Sequence, residues 1–322
     1  MQLHKWHSWR GFAPGLLLVL ALLSGCATQT RSLLQSPAAT SLPRHIELVA
    51  TPFFPQERYQ CGPAALAMSL NAAGVKITPD ALVPQVYVPQ REGSLQPEML
   101  AAARRNGVVS MTIPPRLESL LAELAAGNPV IVLQNLSLPL FPLWHYAVAI
   151  GYDLDKGDII LRSGTTAREV MPLSTFEHTW ARGNYWGEVV LQPGRMPMTV
   201  DEQTATEELV AFEKNNEPSR ARKAYASALK RWPHNLTLQM GYGNTAYASG
   251  DRVAAADAFR SAARDHPDSG AAFNNLATVL AELGRFEEAR NAAEKAVALD
   301  GPWRDDARAT LRAIETRKSK AK

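Results

Sequence analysis

The chain has 322 residues, 46% of them hydrophobic and 20% charged, with a formal net charge of +3. That is enough apolar material for two cored domains and too much for a globally disordered chain. The charge is slight and forms no basic cluster of the kind a nucleic-acid surface needs, so no nucleic-acid partner is expected.

The N-terminus carries a basic leader (His4, Lys5, His7, Arg10), an apolar core from Leu16 to Leu23, and then Leu23-Ser24-Gly25-Cys26. The apolar run is too short for a comfortable membrane span and has the layout of an export signal. Its ending resembles the processing box of bacterial lipoproteins. The resemblance implies that residues 1–25 are removed and that Cys26 bears the lipid, palmitate included. With Ala27 rather than Asp next, it further implies the periplasmic face of a Gram-negative outer membrane. An ordinary signal peptide or an uncleaved anchor is the competing reading. Residues 26–45, rich in Ser, Thr, Ala and Gln as far as Leu42, read as a tether from membrane to domain.

Only two cysteines are present, so a lipid-bearing Cys26 leaves Cys61 alone. A lone exported cysteine has no disulfide partner within the chain and cannot supply a structural thiolate metal site. It stands in Gln56-Glu57-Arg58-Tyr59-Gln60-Cys61-Gly62-Pro63-Ala64-Ala65-Leu66, between a polar segment and a run of helix formers. This predicts a helix opening at Cys61, running to about Ala73 and capped by Gly74. The first turn of a helix favours thiolate over thiol, because orphan backbone N–H groups and the positive end of the dipole face the sulfur. Pro63 fits that turn, where its missing N–H costs no helical bond.

Upstream, Ile46 to Phe54 reads as an extended segment stopped by Pro55. Downstream, helices are expected over Ser94–Asn106 and Pro115–Ala126, and strands over Val108–Ile113 and Val130–Leu133. Pro139-Leu140-Phe141-Pro142-Leu143-Trp144 reads as a proline-punctuated apolar loop beside a cleft. His145 to Tyr152 and Asp158 to Arg162 then form a hairpin about Asp155, which brings Ser163 and Thr165 near His145. A short helix at Thr175–Trp180 and a strand at Gly187–Gln192 complete a domain placed at 46–196. Helices followed by antiparallel strands make this an α+β arrangement rather than regular βαβ alternation.

Gln56 ahead of Cys61-Gly62-Pro63-Ala64-Ala65-Leu66, followed by His145-Tyr146-Ala147-Val148-Ala149-Ile150-Gly151-Tyr152, resembles the papain-like cysteine peptidases, in particular their C39-like branch. The likeness spans about Phe53 to Leu191. It implies Cys61 as nucleophile, His145 as base and then acid, and Gln56 as an oxyanion donor with the Cys61 N–H, each in keeping with the chemistry of those groups. Many relatives carry an aspartate after the strand that follows the histidine strand. Here Leu161-Arg162-Ser163-Gly164-Thr165 has no carboxylate, so Ser163, or more weakly Asn135, is the candidate to orient the ring. His178 is the reserve histidine. No cofactor or metal is expected, since the histidines lack zinc spacing.

Beyond Pro197 the composition turns to alanine, charge and helix formers with a 34-residue period: Pro233 and Pro267 then Gly301; Tyr225, Phe259, Ala293; Ala228, Ala262, Ala296; Ala221, Ala255, Ala289. Gly250 and Gly284 mark the turns within the second and third copies, and Asn216 takes that place in the first. This resembles tetratricopeptide repeats and predicts an all-α solenoid over 201–317, with a last helix at Asp305–Thr316 and a frayed basic tail. The expectation for the whole is a lipid-anchored thiol peptidase or amide hydrolase, with repeats that recruit substrate or a protein partner. The alternatives are a non-catalytic peptide-binding lipoprotein scaffold and a cysteine acyltransferase.

Overall fold

The computed structural model describes residues 28–36, 40–56, 60–299 and 301–320. The expected signal segment 1–25 and Cys26 lie outside the described residues. The protein is an α+β domain followed by an all-α repeat region.

The α+β domain is a three-layer sandwich. Its middle layer is an antiparallel sheet in the order β4-β9-β5-β6-β7-β8, made by β4 (Val109–Thr112), β9 (Gly187–Leu191), β5 (Val130–Asn135), β6 (Trp144–Asp153), β7 (Asp158–Ser163) and β8 (Thr166–Pro172). The short strand β1 (His45–Glu47) pairs with the far end of β6, beyond the reach of β5. Gly151 makes that pairing possible, because a Cβ there would meet the Ile46 carbonyl oxygen at 2.2 Å. The period-two alternation of the strands splits the core in two. Val130, Val132, Ala147, Ala149, Ile159, Leu161 and Val189 face a layer of helices α5 (Leu117–Ala125) and α6 (Leu173–Ala181). Ile131, Leu133, Tyr146, Val148, Ile150, Ile160 and Val190 face α2 (Cys61–Ala72), α3 (Pro79–Val86) and α4 (Gln96–Arg105).

The expected helix at Cys61 is present, and Gly74 has the left-handed φ of +87° suited to ending it. Three elements were not foreseen. Helix α3 carries Pro84 in its interior, a residue that argues against a helix. The small hairpin of β2 (Tyr87–Val88) and β3 (Gly93–Ser94) has two-residue strands, too short for a periodic signal. Strand β8 is an exposed edge of mixed polar and apolar residues, with no regular alternation.

Part of the stretch read as a tether is instead α1 (Thr28–Leu34), docked on the α5/α6 layer. The buried Glu177 carboxylate accepts the N–H groups of Gln29 and Thr30 and the Thr30 hydroxyl, and Leu33 joins the core. Composition alone cannot show this, because the docking partner lies nearly 150 residues away.

The repeats are antiparallel helix pairs: α7 (Glu202–Glu213) with α8 (Pro218–Leu229), α9 (Leu236–Ala248) with α10 (Arg252–Asp265), and α11 (Gly270–Glu282) with α12 (Phe286–Ala298), closed by α13 (Arg304–Lys320). The last helix therefore runs through most of the segment expected to fray. Small residues meet aromatic rings between layers: a Cβ on Gly241 would lie 2.4 Å from the Tyr225 ring, and one on Gly243 2.4 Å from Phe259. Gly250 and Gly284 hold positive φ at their turns, as the period predicts.

The two regions share a core. Val109 and Met111 on edge strand β4 pack with Ala205, Leu209 and Phe212 of α7, which continues the α5/α6 layer. Arg104 donates to Glu208 at 2.5 Å, and Asn216 donates to the Arg104 carbonyl. Asn216 thus departs from the turn glycine of the later copies because the first copy abuts the α+β domain rather than another repeat. Buried Glu123 accepts from the Thr199 N–H and hydroxyl, fixing the connecting segment.

Candidate functional site

The site forms where the N-terminus of α2 meets the start of β6. A cleft of about 880 Å³ opens there, lined by Gln56, Cys61, Ser94, Trp144, His145 and Tyr146 among others. That is within the size range of ligand sites. One wall is the unforeseen β2–β3 hairpin, and another is the apolar loop before His145.

Cys61 is half-buried at the first position of α2. Burial pushes its thiol pKa up, against the smaller opposing pull of the Tyr146, Gly62 and Cys61 backbone N–H groups. Desolvation outweighs the helix terminus here, because a thiolate away from water loses more solvation than a few amide dipoles return. Burial also pushes the His145 pKa down, partly offset by Glu169. Its Nε2 lies 3.0 Å from the Ser163 hydroxyl. Among the described residues, no hydrogen bond joins the Cys61 sulfur to the His145 ring. Both groups therefore favour their neutral forms.

Gln56 is held by both ends of its amide. Its Nε2 donates to the Tyr146 carbonyl at 3.1 Å, and its Oε1 accepts the Gly164 N–H at 3.1 Å. With its backbone N–H also on the Gly164 carbonyl, Gln56 ties the segment before α2 to the β7–β8 turn. One amide hydrogen is thus committed within the protein. Among the described residues no hydrogen bond joins Asn135 to the ring. Its Oδ1 accepts the N–H groups of Ser137 and Leu143 and so pins the neck of the apolar loop. His178 lies on α6, in the layer across the sheet from α2, and does not line the cleft.

Sequence reasoning missed Ser94 and Tyr146. The Tyr146 hydroxyl donates to the Ser94 carbonyl at 3.2 Å, and Ser94 sits where any side chain on Gly62 would clash, 2.2 Å from a Cβ placed there. Gly62 is thus required by the close approach of the hairpin. The only available signal was the glycine itself, next to the cysteine. No cluster of His, Cys, Asp or Glu able to hold a metal ion occurs among the described residues.

Comparison with known proteins follows the same division of the chain. Residues 49–187 match the Peptidase_C39 like family, and 207–270, 243–302 and 274–316 match the tetratricopeptide repeat. The chain thus has a C39-like peptidase domain followed by tetratricopeptide repeats. A candidate C39-like peptidase from Bacillus anthracis aligns over 47% of this chain and 98% of its own, at 18% identity and a TM-score of 0.40. The Sgt2 repeat domain of Aspergillus fumigatus aligns over 37% of this chain and 78% of its own, at 26% identity and a TM-score of 0.33. The Yersinia enterocolitica type III secretion chaperone SycD, solved with a peptide of the translocator YopD, aligns over 36% of this chain and 93% of its own, at 16% identity and a TM-score of 0.34. No curated protein matches the sequence.

Proposed function

We propose that this protein is a peptide-binding scaffold, in which the cleft of the C39-like domain holds an extended peptide and the repeats dock a protein partner. The observation that carries this reading is geometric: among the described residues no hydrogen bond joins the Cys61 sulfur to the His145 ring, whose Nε2 faces the Ser163 hydroxyl instead, and the directions of the two pKa shifts agree with it. A thiolate–imidazolium couple needs a lowered thiol pKa and a raised imidazole pKa, and Cys61 and His145 are moved the other way. Ser163 adds no charge to favour imidazolium, and Gln56 is engaged within the fold. What remains is a cleft of peptide-accommodating size whose walls are apolar on the side of Pro142, Leu143 and Trp144 and polar on the side of Arg91, Glu92 and Gln96. The stacked helix pairs support a docking role, since solenoids present extended surfaces and supply no chemistry. Anchoring through lipid on Cys26, in the bacterial cell envelope, belongs to the same reading and rests on the sequence Leu23-Ser24-Gly25-Cys26. Among the described residues no helix is long and apolar enough to cross a membrane.

A second reading, thiol hydrolysis or acyl transfer, is favoured by the presence of Cys61 and His145 in the lining of one cleft. One experiment separates them. The full chain and Cys61→Ala are incubated with a library of envelope-derived peptides, and binding and mass changes are followed together. The scaffold reading expects equal affinity and no product from either. Cleavage or transfer by the wild type that disappears in both Cys61→Ala and His145→Ala would replace it with the hydrolase or transferase reading. Intact mass of the exported chain tests the lipid on Cys26.

A further inference from the structure

The turn between β5 and β6 is the most exposed run of large apolar side chains among the described residues. From Leu136 to Trp144 it reads Leu-Ser-Leu-Pro-Leu-Phe-Pro-Leu-Trp, without a charge. Leu140 is 85% exposed and Phe141 75%, and Leu138, Leu143 and Trp144 are more than half exposed. The turn is nevertheless built. Besides the two Asn135 bonds at its neck, Leu136 N–H donates to the Leu143 carbonyl, Phe141 N–H to the Leu138 carbonyl, and Arg182 to the Ser137 carbonyl. Polar groups hold the base while apolar tips point outward, an arrangement that water penalises unless something covers the tips.

Substrate in the cleft is not the natural cover. Pro142, Leu143 and Trp144 line the cleft, but the two most exposed side chains, Leu140 and Phe141, do not. The position of the chain's start points elsewhere. Thr28, the first described residue, opens the helix whose second and third N–H groups sit on Glu177 of α6. Arg182, which holds the turn, follows at the end of that same helix, five residues and about 7.5 Å further along its axis. The described chain therefore begins on the flank that carries the turn. Exposed Arg116 lies beside Thr28 together with Glu118, and exposed Arg182 holds the turn itself.

We propose that the β5–β6 turn is a membrane-surface wedge, with Leu138, Leu140 and Phe141 entering the outer acyl region of a phospholipid bilayer, Trp144 at the interface and the arginines at the headgroups. An uncharged aromatic and leucine tip beside basic side chains has the chemistry of an interfacial anchor. The cleft mouth, which shares Leu143 and Trp144 with the wedge, then opens at the lipid surface, so its peptide is one that lies along a membrane. This extends the anchoring part of the reading above, and it is tested with that anchor removed.

The probe is vesicles of phosphatidylethanolamine and phosphatidylglycerol, with and without bromine on the acyl chains, added to the processed chain, residues 26–322, carrying Cys26→Ser, so that neither lipid nor the apolar run Leu16–Leu23 is present. Bromolipid is expected to quench tryptophan emission, and Trp144→Phe in the same background to remove most of the quenched fraction. Leu140→Ser with Phe141→Ser is expected to weaken vesicle partition about tenfold or more, from the loss of two buried apolar side chains. Both side chains are exposed, so an unchanged near-ultraviolet circular dichroism spectrum checks the fold. Quenching unaffected by Trp144→Phe, or partition unchanged in the double variant, overturns the proposal. So does a double variant that binds vesicles normally but loses cleft peptide, which would make the turn a peptide-docking element. If native Cys26 carries no lipid while Trp144 is still quenched, the wedge stands and the lipid anchor falls.

Discussion

The α+β domain and the repeats solve the same problem, burying apolar surface, by opposite routes. Each repeat helix packs on a neighbour close in sequence, Tyr225 on Gly241 and Phe259 on Gly243, so the solenoid is assembled from local contacts repeated at a fixed interval. The α+β domain is assembled from distant ones: Gln56 to Gly164, Tyr146 to Ser94, Gln29 to Glu177. It also buries acids, Glu123, Glu177 and Glu188, whereas most carboxylates of the repeats are in exposed or half-exposed ion pairs. The comparison teaches that the local region can lose a layer and remain folded, while the non-local region stands or falls together.

The largest expected effects probe that difference directly. Trp180 is fully buried, stacks on Phe176 and donates to the Trp186 carbonyl. Trp180→Ala should cost about 3–5 kcal/mol and lower the α+β transition as one unit. Phe259→Ala should cost a similar amount, but hydrogen exchange should rise only in α9 to α13 while β4–β9 stay protected. Equal deprotection of both regions by Phe259→Ala would erase the distinction.

Next in size is Glu188. It is fully buried on β9, its carboxyl accepts from Ser110 at 2.5 Å, and burial pushes its pKa from 4.5 up to about 8, with Glu208 adding to the rise and Arg104 opposing it. Between those pH values the unfolded chain releases a proton that the folded chain keeps. Its contribution to stability is therefore complete below about pH 4.5 and lost as pH rises through 8. Glu188→Gln should flatten that slope and gain of order 3 kcal/mol near pH 8, read from urea midpoints across pH. A smaller loss, about 2 kcal/mol, is expected for Arg104→Ala, which leaves the half-buried Glu208 without its cation. Because Arg104 and Glu208 sit on the two sides of the domain junction, this variant should separate two unfolding transitions in calorimetry.

The smallest stability effect belongs to the cleft. Ser163→Ala should cost less than about 1 kcal/mol. Ser163→Asp, by contrast, places a carboxylate beside the His145 ring and should raise its pKa, measured from ring-proton shifts. If that variant also reacts faster with a thiol-directed peptide electrophile, the cleft is a thiol centre muted by its serine. If reactivity is unchanged, the scaffold reading is strengthened.

Much of this was legible from residues alone. The helix at Cys61 was marked by its alanines and Gly74, the hairpin strands by their β-branched runs about Asp155, and the repeats by recurring Pro, Ala and aromatic positions. The pairing of His145 with Ser163 was expected from counting across that hairpin and is present at 3.0 Å. Less was legible where local signals mislead. Pro84 disguises α3, two-residue strands disguise the hairpin that walls the cleft, and the Ser/Thr-rich composition of α1 suggests a free tether rather than a docked helix.

The sequence by itself determined the order of elements, the repeat period, and the placing of Cys61 at a helix start and His145 at a strand start, because propensity, alternation and glycine conformation act over a few residues. Only the tertiary structure decided the protonation balance of Cys61 and His145, the commitment of Gln56, and the flank shared by the apolar turn and the start of the chain. Those depend on desolvation and on partners brought together from across the sheet, which no local pattern encodes.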